Sequence, residues 1–284
     1  MKQKLEKEKI LILGGSGFIG HALYRELQSY FEVYGTYFSQ IGNFSGNQMF
    51  FQFDLEQDDV LPILQKVKPT VIISAIKGNY EKQIILHKSL ATYASKNGSR
   101  ILFFSTNRVF DAKMMHPSYE KDIPLSQSEF GKFKITIEKL LLKNLPGRTA
   151  ILRLPLVLGI NSPEIFHLRQ CIRHHVAYEV YPNLVVTATT INKLCLQVHY
   201  IINQSLTGIF HLSSSNMIHH DDLFLEITEK ISEKTPIFKK VYTSNDDRYM
   251  AILPRDNKLA AHYQITIEEV IEESGLDAAV VSIV

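Results

Sequence analysis

The sequence predicts an α/β protein with a doubly wound parallel sheet, helices on both faces and a smaller C-terminal lobe. Two observations predict this fold class. In the first half, short apolar runs alternate with amphipathic stretches, which is the order of βα units that feed a parallel sheet. Beyond about Leu154 the alternation gives way to shorter segments of mixed type. We therefore expect a sheet domain over residues 1–153 and a smaller lobe over 154–284, some of whose C-terminal segments return to the sheet.

The individual elements follow from the apolar runs and from the residues that interrupt them. Helices are predicted from Phe18 to about Ser29 and from Ser126 to Leu142, because their apolar residues recur close to helical spacing. In such a sheet a ligand lies at the carboxyl ends of the strands, near the reversal in strand order. Six runs have the length and composition of strands, and they begin at Ile10, Glu32, Met49, Thr70, Arg100 and Ala150.

The composition excludes several classes of function. The 284 residues carry a formal charge of +2, so no overall electrostatic attraction directs the chain to nucleic acid or to an acidic membrane. No apolar run approaches the roughly 20 residues that a membrane helix needs, and the opening MKQKLEKEKI lacks the apolar core of a secretory signal. We therefore expect a cytoplasmic protein with neither a membrane nor a nucleic acid as partner.

The cysteines and histidines do not form a metal-binding pattern. The two cysteines lack a metal-type spacing. The adjacent pairs His174-His175 and His219-His220 point in different directions on a strand or a helix, so they supply few convergent ligands. We predict that the chain binds no metal.

A glycine-rich segment connects the first strand to the first helix. Gly14, Gly17 and Gly20 have the spacing GxxGxxG between an apolar strand and an amphipathic helix. The first glycine permits a tight turn, the second lets backbone N–H groups approach a pyrophosphate, and the third lets helix and strand pack closely. We interpret the segment as a dinucleotide-binding loop of the Rossmann type, with Phe18 and Ile19 beside the phosphates, in preference to an ordinary tight turn.

The preferred nicotinamide cofactor depends on the end of the second strand. An acid there would bind the adenine ribose and repel a 2′-phosphate, but the segment 34–40, YGTYFSQ, holds neither an acid nor a base. The sequence therefore favours NADP(H) only slightly and leaves NAD(H) open. For Asp54, a cofactor contact and a helix cap are equally good interpretations. The predicted cofactor contacts after the third and fourth strands are Asp54, Leu55, Ser74 and Ala75.

Three motifs follow the fifth strand and carry a family resemblance. Their residues are Ser105-Thr106 with Val109-Phe110-Asp111, then Tyr119-Glu120 with Asp122 and Pro124, and then Gly131 with Lys134. In this order they resemble the ST-x-x-VFDG segment, the acidic segment and the YGxxK segment of the dTDP-4-dehydrorhamnose reductase family. GIFHL at Gly208 to Leu212 and the stretch from Pro254-Arg255 to Leu259 resemble later parts of that family. The resemblance covers nearly the whole chain.

The resemblance implies an extended short-chain dehydrogenase that binds NAD(P) with residues 1–153 and a nucleotide sugar with residues 154–284. In the family mechanism a tyrosine phenol protonates the carbonyl oxygen while hydride arrives from the nicotinamide. A lysine four residues later lowers the pKa of the phenol and holds the cofactor ribose, and a Ser or Thr hydroxyl orients the carbonyl. Lys134 and either Ser105 or Thr106 match the last two roles.

Phe130 occupies the position of the family's catalytic tyrosine. Gly131 and Lys134 follow it in register, which favours this interpretation over a plain core phenylalanine and a solvated helix lysine. Two further departures are Ala112 in place of a glycine and Arg108 in place of a substrate-contacting tyrosine. Because a phenyl ring has no proton to donate, the resemblance implies impaired or altered catalysis.

Two hypotheses of different class remain open. The first is a reductase of a 4-keto nucleotide sugar, or of a related small polar carbonyl compound, with catalysis reduced by Phe130. The second is a non-catalytic, cofactor-binding regulatory or scaffold subunit, like the regulatory subunit of methionine adenosyltransferase, which resembles the same family. A further interpretation is a phenylalanine introduced into an active enzyme. The expected protein partner is a second copy of the chain or a regulated protein.

Overall fold

The computed structural model describes residues 8–39, 44, 46–234 and 236–281, and of residues 275–281 it describes the backbone alone. Strands and α-helices alternate over the first half. Their bounds are β1 (Lys9–Leu13), α1 (Phe18–Leu27), β2 (Glu32–Tyr37), β3 (Phe50–Gln52), α2 (Leu61–Val67), β4 (Val71–Ser74), α3 (Tyr80–Asn97), β5 (Arg100–Thr106), α4 (Glu129–Asn144) and β6 (Thr149–Leu154).

Shorter strands dominate the described residues of the second half, where three helices lie between them and a fourth follows the last strand. Short 3₁₀ helices cover Asn107–Phe110 and Ala261–Tyr263. The bounds of the other elements are β7 (Leu156–Leu158), α5 (Pro163–His174), β8 (Tyr178–Val180), β9 (Leu184–Val186), β10 (Ala188–Thr190), α6 (Ile191–Asn203), β11 (Gly208–His211), β12 (Ile218–His219), α7 (His220–Ile231), β13 (Phe238–Lys240), β14 (Arg248–Met250) and α8 (Ile267–Val281).

Seven strands form one parallel sheet in the order β11-β6-β5-β4-β1-β2-β3, which confirms the predicted doubly wound α/β fold. β1 pairs in parallel with β2 on one side and with β4 on the other. The strand order therefore reverses between β1 and β4, where the carboxyl ends of two neighbouring strands diverge into loops. Residues Ile10–Leu13 have no exposed surface, as expected for a strand that helices cover on both faces.

The helix predicted from Ser126 begins instead at Glu129, and a local hydrogen-bond network explains the difference. The Ser128 hydroxyl donates to the Asp111 carboxylate and accepts the N–H of Gly131 at 3.1 Å. Ser128 thus satisfies one of the first N–H groups of the helix, as an N-cap residue does. Ser126 and Gln127 precede this cap and lie outside the helix.

The chain divides into two compact units. The first takes in the described residues of 1–105 together with Lys132–Leu152 and Val198–Ile209. The second takes in Thr106–Gly131, Arg153–Gln197 and the described residues from 210 onwards. The second unit has its own apolar core, in which α5, α7 and α8 contribute fully buried side chains such as Leu168, Phe224 and Val270.

Candidate functional site

The glycine loop after β1 is anchored to the neighbouring strand β2. The N–H of Gly14 donates to the hydroxyl of Thr36 at 2.9 Å, and the N–H of Ser16 donates to the Thr36 carbonyl oxygen at 3.2 Å. Gly14 has a φ of 81°, a conformation that a residue with a side chain rarely adopts. One buried threonine therefore sets the path of the loop at the carboxyl end of the sheet.

The three glycines of the motif have different steric surroundings. A Cβ on Gly20 would lie 2.1 Å from the carbonyl oxygen of Gly14, and a Cβ on Gly14 would lie 2.8 Å from that of Ala75. A Cβ on Gly17 would meet only that same Gly14 oxygen, at 3.4 Å, and Gly17 is exposed. The fold thus requires Gly14 and Gly20, while Gly17 faces open space where a ligand can approach the backbone.

Helix α1 begins in this loop without a capping side chain. Gly17 is its N-cap residue, no side chain accepts a hydrogen bond from its first turn, and that turn holds no acidic residue. The first N–H groups of a helix lack partners within the helix and carry partial positive charge. The N–H groups of Phe18, Ile19 and Gly20 therefore fit an anionic group such as a pyrophosphate.

The residues predicted after β3 and β4 have distinct local roles. The Asp54 carboxylate accepts the N–H of Glu56 at 2.9 Å, so it organises the turn that follows β3. Leu55 and Ala75 are half-buried, and the N–H of Ala75 donates to Leu13 of β1 at 2.9 Å. The contacts of Asp54, Leu55 and Ala75 with a cofactor stay predictions.

Ser74 is turned into the core at the end of β4. Its hydroxyl lies 2.9 Å from Nε2 of His87, whose Nδ1 lies 2.6 Å from the carbonyl oxygen of Gln83. Burial lowers the pKa of His87 to about 4, so the imidazole is neutral, Nδ1 donates and Nε2 accepts the Ser74 proton. A cofactor contact by Ser74 likewise stays a prediction.

Lys134 lies on α4 in largely apolar surroundings. Its Nζ donates to the carbonyl oxygen of Phe104 at 2.8 Å and lies 4.6 Å from the ring centroid of Phe103 and 5.2 Å from that of Phe133. Burial lowers the pKa of Lys134 to about 8, although the carboxylate of Glu138 acts in the opposite direction. A cation in this position can hold the hydroxyl groups of a ribose.

The two hydroxyls predicted to orient a carbonyl have different surroundings. Ser105 is buried and donates to Oε1 of Glu138 at 2.5 Å. Thr106 is half-buried, and its Oγ1 accepts the N–H of Arg108 and lies 3.2 Å from Oδ1 of Asn107. Thr106 is therefore the more accessible of the two hydroxyls.

Phe130 lies half-buried in the first turn of α4. Lys134 follows four residues later, about 40° around the helix, so both residues lie on one helical face. This face carries the ammonium group of Lys134 and the phenyl ring of Phe130. It lacks the phenol that the family mechanism needs at position 130. The prediction that Phe130 and Lys134 lie beside a substrate and a cofactor stays a prediction.

Three residues of the site were missed from the sequence, namely Thr36, His87 and Glu138. Glu138 stands four residues beyond Lys134, the same interval that separates Lys134 from Phe130, and that repeat could have identified it. No local pattern marks Thr36, whose partners lie in a distant loop, or His87, whose partner Ser74 lies on another element thirteen residues earlier.

A comparison with protein families decides the classification. Residues 8–261 match the family described as RmlD substrate binding domain. The chain belongs to this family. A curated relative is the methionine adenosyltransferase 2 subunit beta of Danio rerio, which is 28% identical over 239 residues, 74% of this chain and 70% of the relative. The Bos taurus protein of that name is 26% identical over 55% of this chain and 48% of its own length.

Solved structures share the fold of this chain. The dTDP-4-dehydrorhamnose reductase of Bacillus anthracis in complex with NADP has a TM-score of 0.77 at 17% identity, over 95% of this chain and 99% of its own. The Bordetella bronchiseptica enzyme WbmH in complex with NAD+ has a TM-score of 0.77 at 16% identity, over 96% and 97%. At these identities the likeness concerns the fold alone.

Two kinds of feature are absent from the described residues, namely a membrane-spanning helix and a metal-binding cluster. Across the described ranges, no helix combines the length and the apolarity needed to cross a membrane. No group of three or more His, Cys, Asp or Glu side chains in that part of the chain is arranged to hold a metal ion.

Proposed function

We propose that the protein binds NADP(H) or NAD(H), with NADP(H) slightly favoured. The pyrophosphate lies against Gly17 and the N–H groups of Phe18 and Ile19, and Lys134 holds a ribose hydroxyl. The uncapped first turn of α1 and the open space at Gly17 support this proposal. Structural neighbours in complex with NADP and with NAD+ add to it. We further propose a cytoplasmic location.

We infer that carbonyl reduction by this protein is impaired, and Phe130 carries the inference. When bound, the nicotinamide supplies a hydride to a carbonyl carbon, and the carbonyl oxygen then needs a proton. The phenyl ring of Phe130 has neither a proton to donate nor a hydrogen bond for that oxygen. Thr106 and Lys134 position substrate and cofactor without completing the transfer. Family membership favours a 4-keto nucleotide sugar or a related small polar carbonyl compound as substrate.

The substitution Phe130→Tyr tests this function. A positioned acid typically contributes about 10²- to 10⁴-fold to the rate, so we expect NADPH oxidation in the variant to rise within that range. Both proteins are assayed against 4-keto nucleotide sugars including dTDP-4-dehydrorhamnose. Phe166→Tyr, on an exposed phenylalanine of α5, is the matched control and leaves the rate unchanged. Rapid turnover by the native protein that Phe130→Tyr does not increase would refute the inference.

A second candidate function is that of a cofactor-binding regulatory subunit. The observation that favours it is the 28% identity to a protein named methionine adenosyltransferase 2 subunit beta. In that role the missing phenol has no cost, because no proton transfer is required. Sedimentation of the protein with a methionine adenosyltransferase catalytic subunit from the same source, with and without NADPH, tests it. Co-sedimentation supports this function, and independent sedimentation at micromolar concentrations contradicts it.

A further inference from the structure

A buried acid lies one helical turn beyond Lys134. Glu138 is 2% exposed, and Ser105, whose hydroxyl donates to Oε1 of Glu138 at 2.5 Å, is 4% exposed. Burying an ionised carboxylate is costly unless it is paired and hydrogen-bonded. The interval of four residues places Glu138 and Lys134 on the same face of α4. The helix thus brings a counter-charge to the side of the lysine.

The other groups around Lys134 give its ammonium group less support. The carbonyl oxygen of Phe104 is a neutral acceptor, and two phenylalanine rings border the charge. Burial lowers the pKa of Lys134 to about 8, and the ammonium group of Lys77 lowers it further, whereas Glu138 raises it. His87, which interacts electrostatically with Lys134, is held neutral by its own burial. Glu138 is therefore the acid that favours the charged lysine in these surroundings.

We propose that Glu138 is a positioning residue, which with Ser105 holds α4 on β5 and keeps Lys134 protonated and directed at the cofactor. The proposal rests on the cofactor binding proposed above. Glu138 acts through Lys134 and needs no contact with the cofactor itself. Ser105 then has a role distinct from that of Thr106, because its hydroxyl secures the carboxylate.

This role differs from simple packing in its dependence on pH. If Glu138 only filled space, its neutral isostere glutamine would preserve binding at every pH. If it maintains the charge of Lys134, the glutamine variant must lose the charged lysine at lower pH than the native protein does. An opposite charge at close range typically shifts a pKa by about 1 to 3 units, so the displacement is on the order of one pH unit.

The experiment measures NADPH affinity by calorimetry from about pH 7 to 9.5, where the 2′-phosphate is fully ionised because its second pKa is about 6. In Glu138→Gln we expect the alkaline loss of affinity to begin at lower pH, with about tenfold weaker binding than native inside the displaced window. Glu138→Asp, which keeps the charge, restores the native profile in part. Glu129→Gln, on an exposed side of α4 about 180° around the helix from Glu138, leaves the profile native.

Three outcomes separate the proposals. If the native protein binds neither NADPH nor NADH, the proposed function fails. If it binds and the profile of folded Glu138→Gln is superimposable on the native one, the positioning role is overturned while cofactor binding stands. Should Glu138→Gln not fold, Ser105→Ala decides. In the proposal Ser105 holds the Glu138 carboxylate beside Lys134, so its loss must displace the pH profile of NADPH affinity in the same direction by a smaller amount. An unchanged profile in Ser105→Ala then overturns the role.

Discussion

The glycine loop and the surroundings of Lys134, the two regions proposed to bind the cofactor, offer a ligand different physical means of recognition. The loop offers backbone N–H groups and empty space, and most of its geometry comes from residues 14–20 with one anchor on β2. Lys134 offers a charge that depends on Ser105 and Glu138 and on rings from β5 and α4. In the proposed cofactor binding both regions act through groups other than a phenol, so a phenylalanine at position 130 leaves both regions intact.

The substitution Gly20→Val has the largest expected effect, and it tests the close packing of the glycine loop. A Cβ there would lie 2.1 Å from the backbone oxygen of Gly14, which cannot move without breaking the loop. We expect the free energy of unfolding to fall by about 4 kcal/mol or more, measured by urea denaturation. Gly17→Val is the matched control and loses about 1 kcal/mol or less, because its Cβ enters open space. Similar losses in both variants would contradict the loop geometry.

The surroundings of Lys134, which include the buried His87, are tested by comparing the acid stability of the native protein with that of His87→Gln. The folded-state pKa of His87 lies near 4, below its ordinary 6.5, so its contribution to stability is present above pH 6.5 and is lost as pH falls towards 4. We expect the native protein to lose roughly 2 to 3 kcal/mol more than the variant between pH 7 and 4.5. Denaturation at several pH values measures this difference. Identical slopes in both proteins would mean that His87 does not titrate as described.

The cofactor-binding role of the loop is tested by Gly17→Val in a thermal-shift assay. Ligand at a hundredfold excess over Kd stabilises a native protein by about 2.7 kcal/mol, and we expect NADPH to give this effect in the parent protein. The valine side chain occupies the space that the pyrophosphate needs, so the shift disappears in the variant. A folded variant that binds NADPH as well as the parent would show that the loop has another purpose.

The smallest expected effect separates two lysines of one helix. Lys134→Ala loses about tenfold in cofactor affinity, because a hydrogen bond from a charged group contributes about 1.5 kcal/mol or more. Lys132 is exposed and projects about 200° away on α4, so Lys132→Ala retains native affinity. Calorimetric titration of both variants decides the matter. Equal losses would mean that the face of α4 directed at the cofactor is misassigned.

The sequence predicted those features that local residues determine. The doubly wound sheet followed from the alternation of apolar runs, and the predicted strand from Arg100 begins where the structure has it. The start of α4 was misplaced by three residues, because Ser128 bonds to Asp111, seventeen positions earlier in the chain. The spacing of apolar residues carries no information about such a polar contact.

The candidate site divides in the same way. The glycines could be recognised because each is required where a Cβ has no room or where a ligand must approach. Glu138 was missed because the sequence does not show that Ser105 faces it, although its interval of four residues from Lys134 places both on one face of α4. Thr36 was missed because its role consists of hydrogen bonds to another strand's loop. Long-range partners are the part that a single sequence leaves out.

The two hydrogen bonds from the glycine loop to Thr36 bear on the thermodynamics of association. Fixing the backbone of one residue costs about 1–2 kcal/mol in conformational entropy. Gly14 and Ser16 already hold their positions through bonds to Thr36, so that cost falls on folding and not on the encounter with a ligand. The loop is thus preorganised, and an incoming dinucleotide mainly surrenders its own freedom of motion.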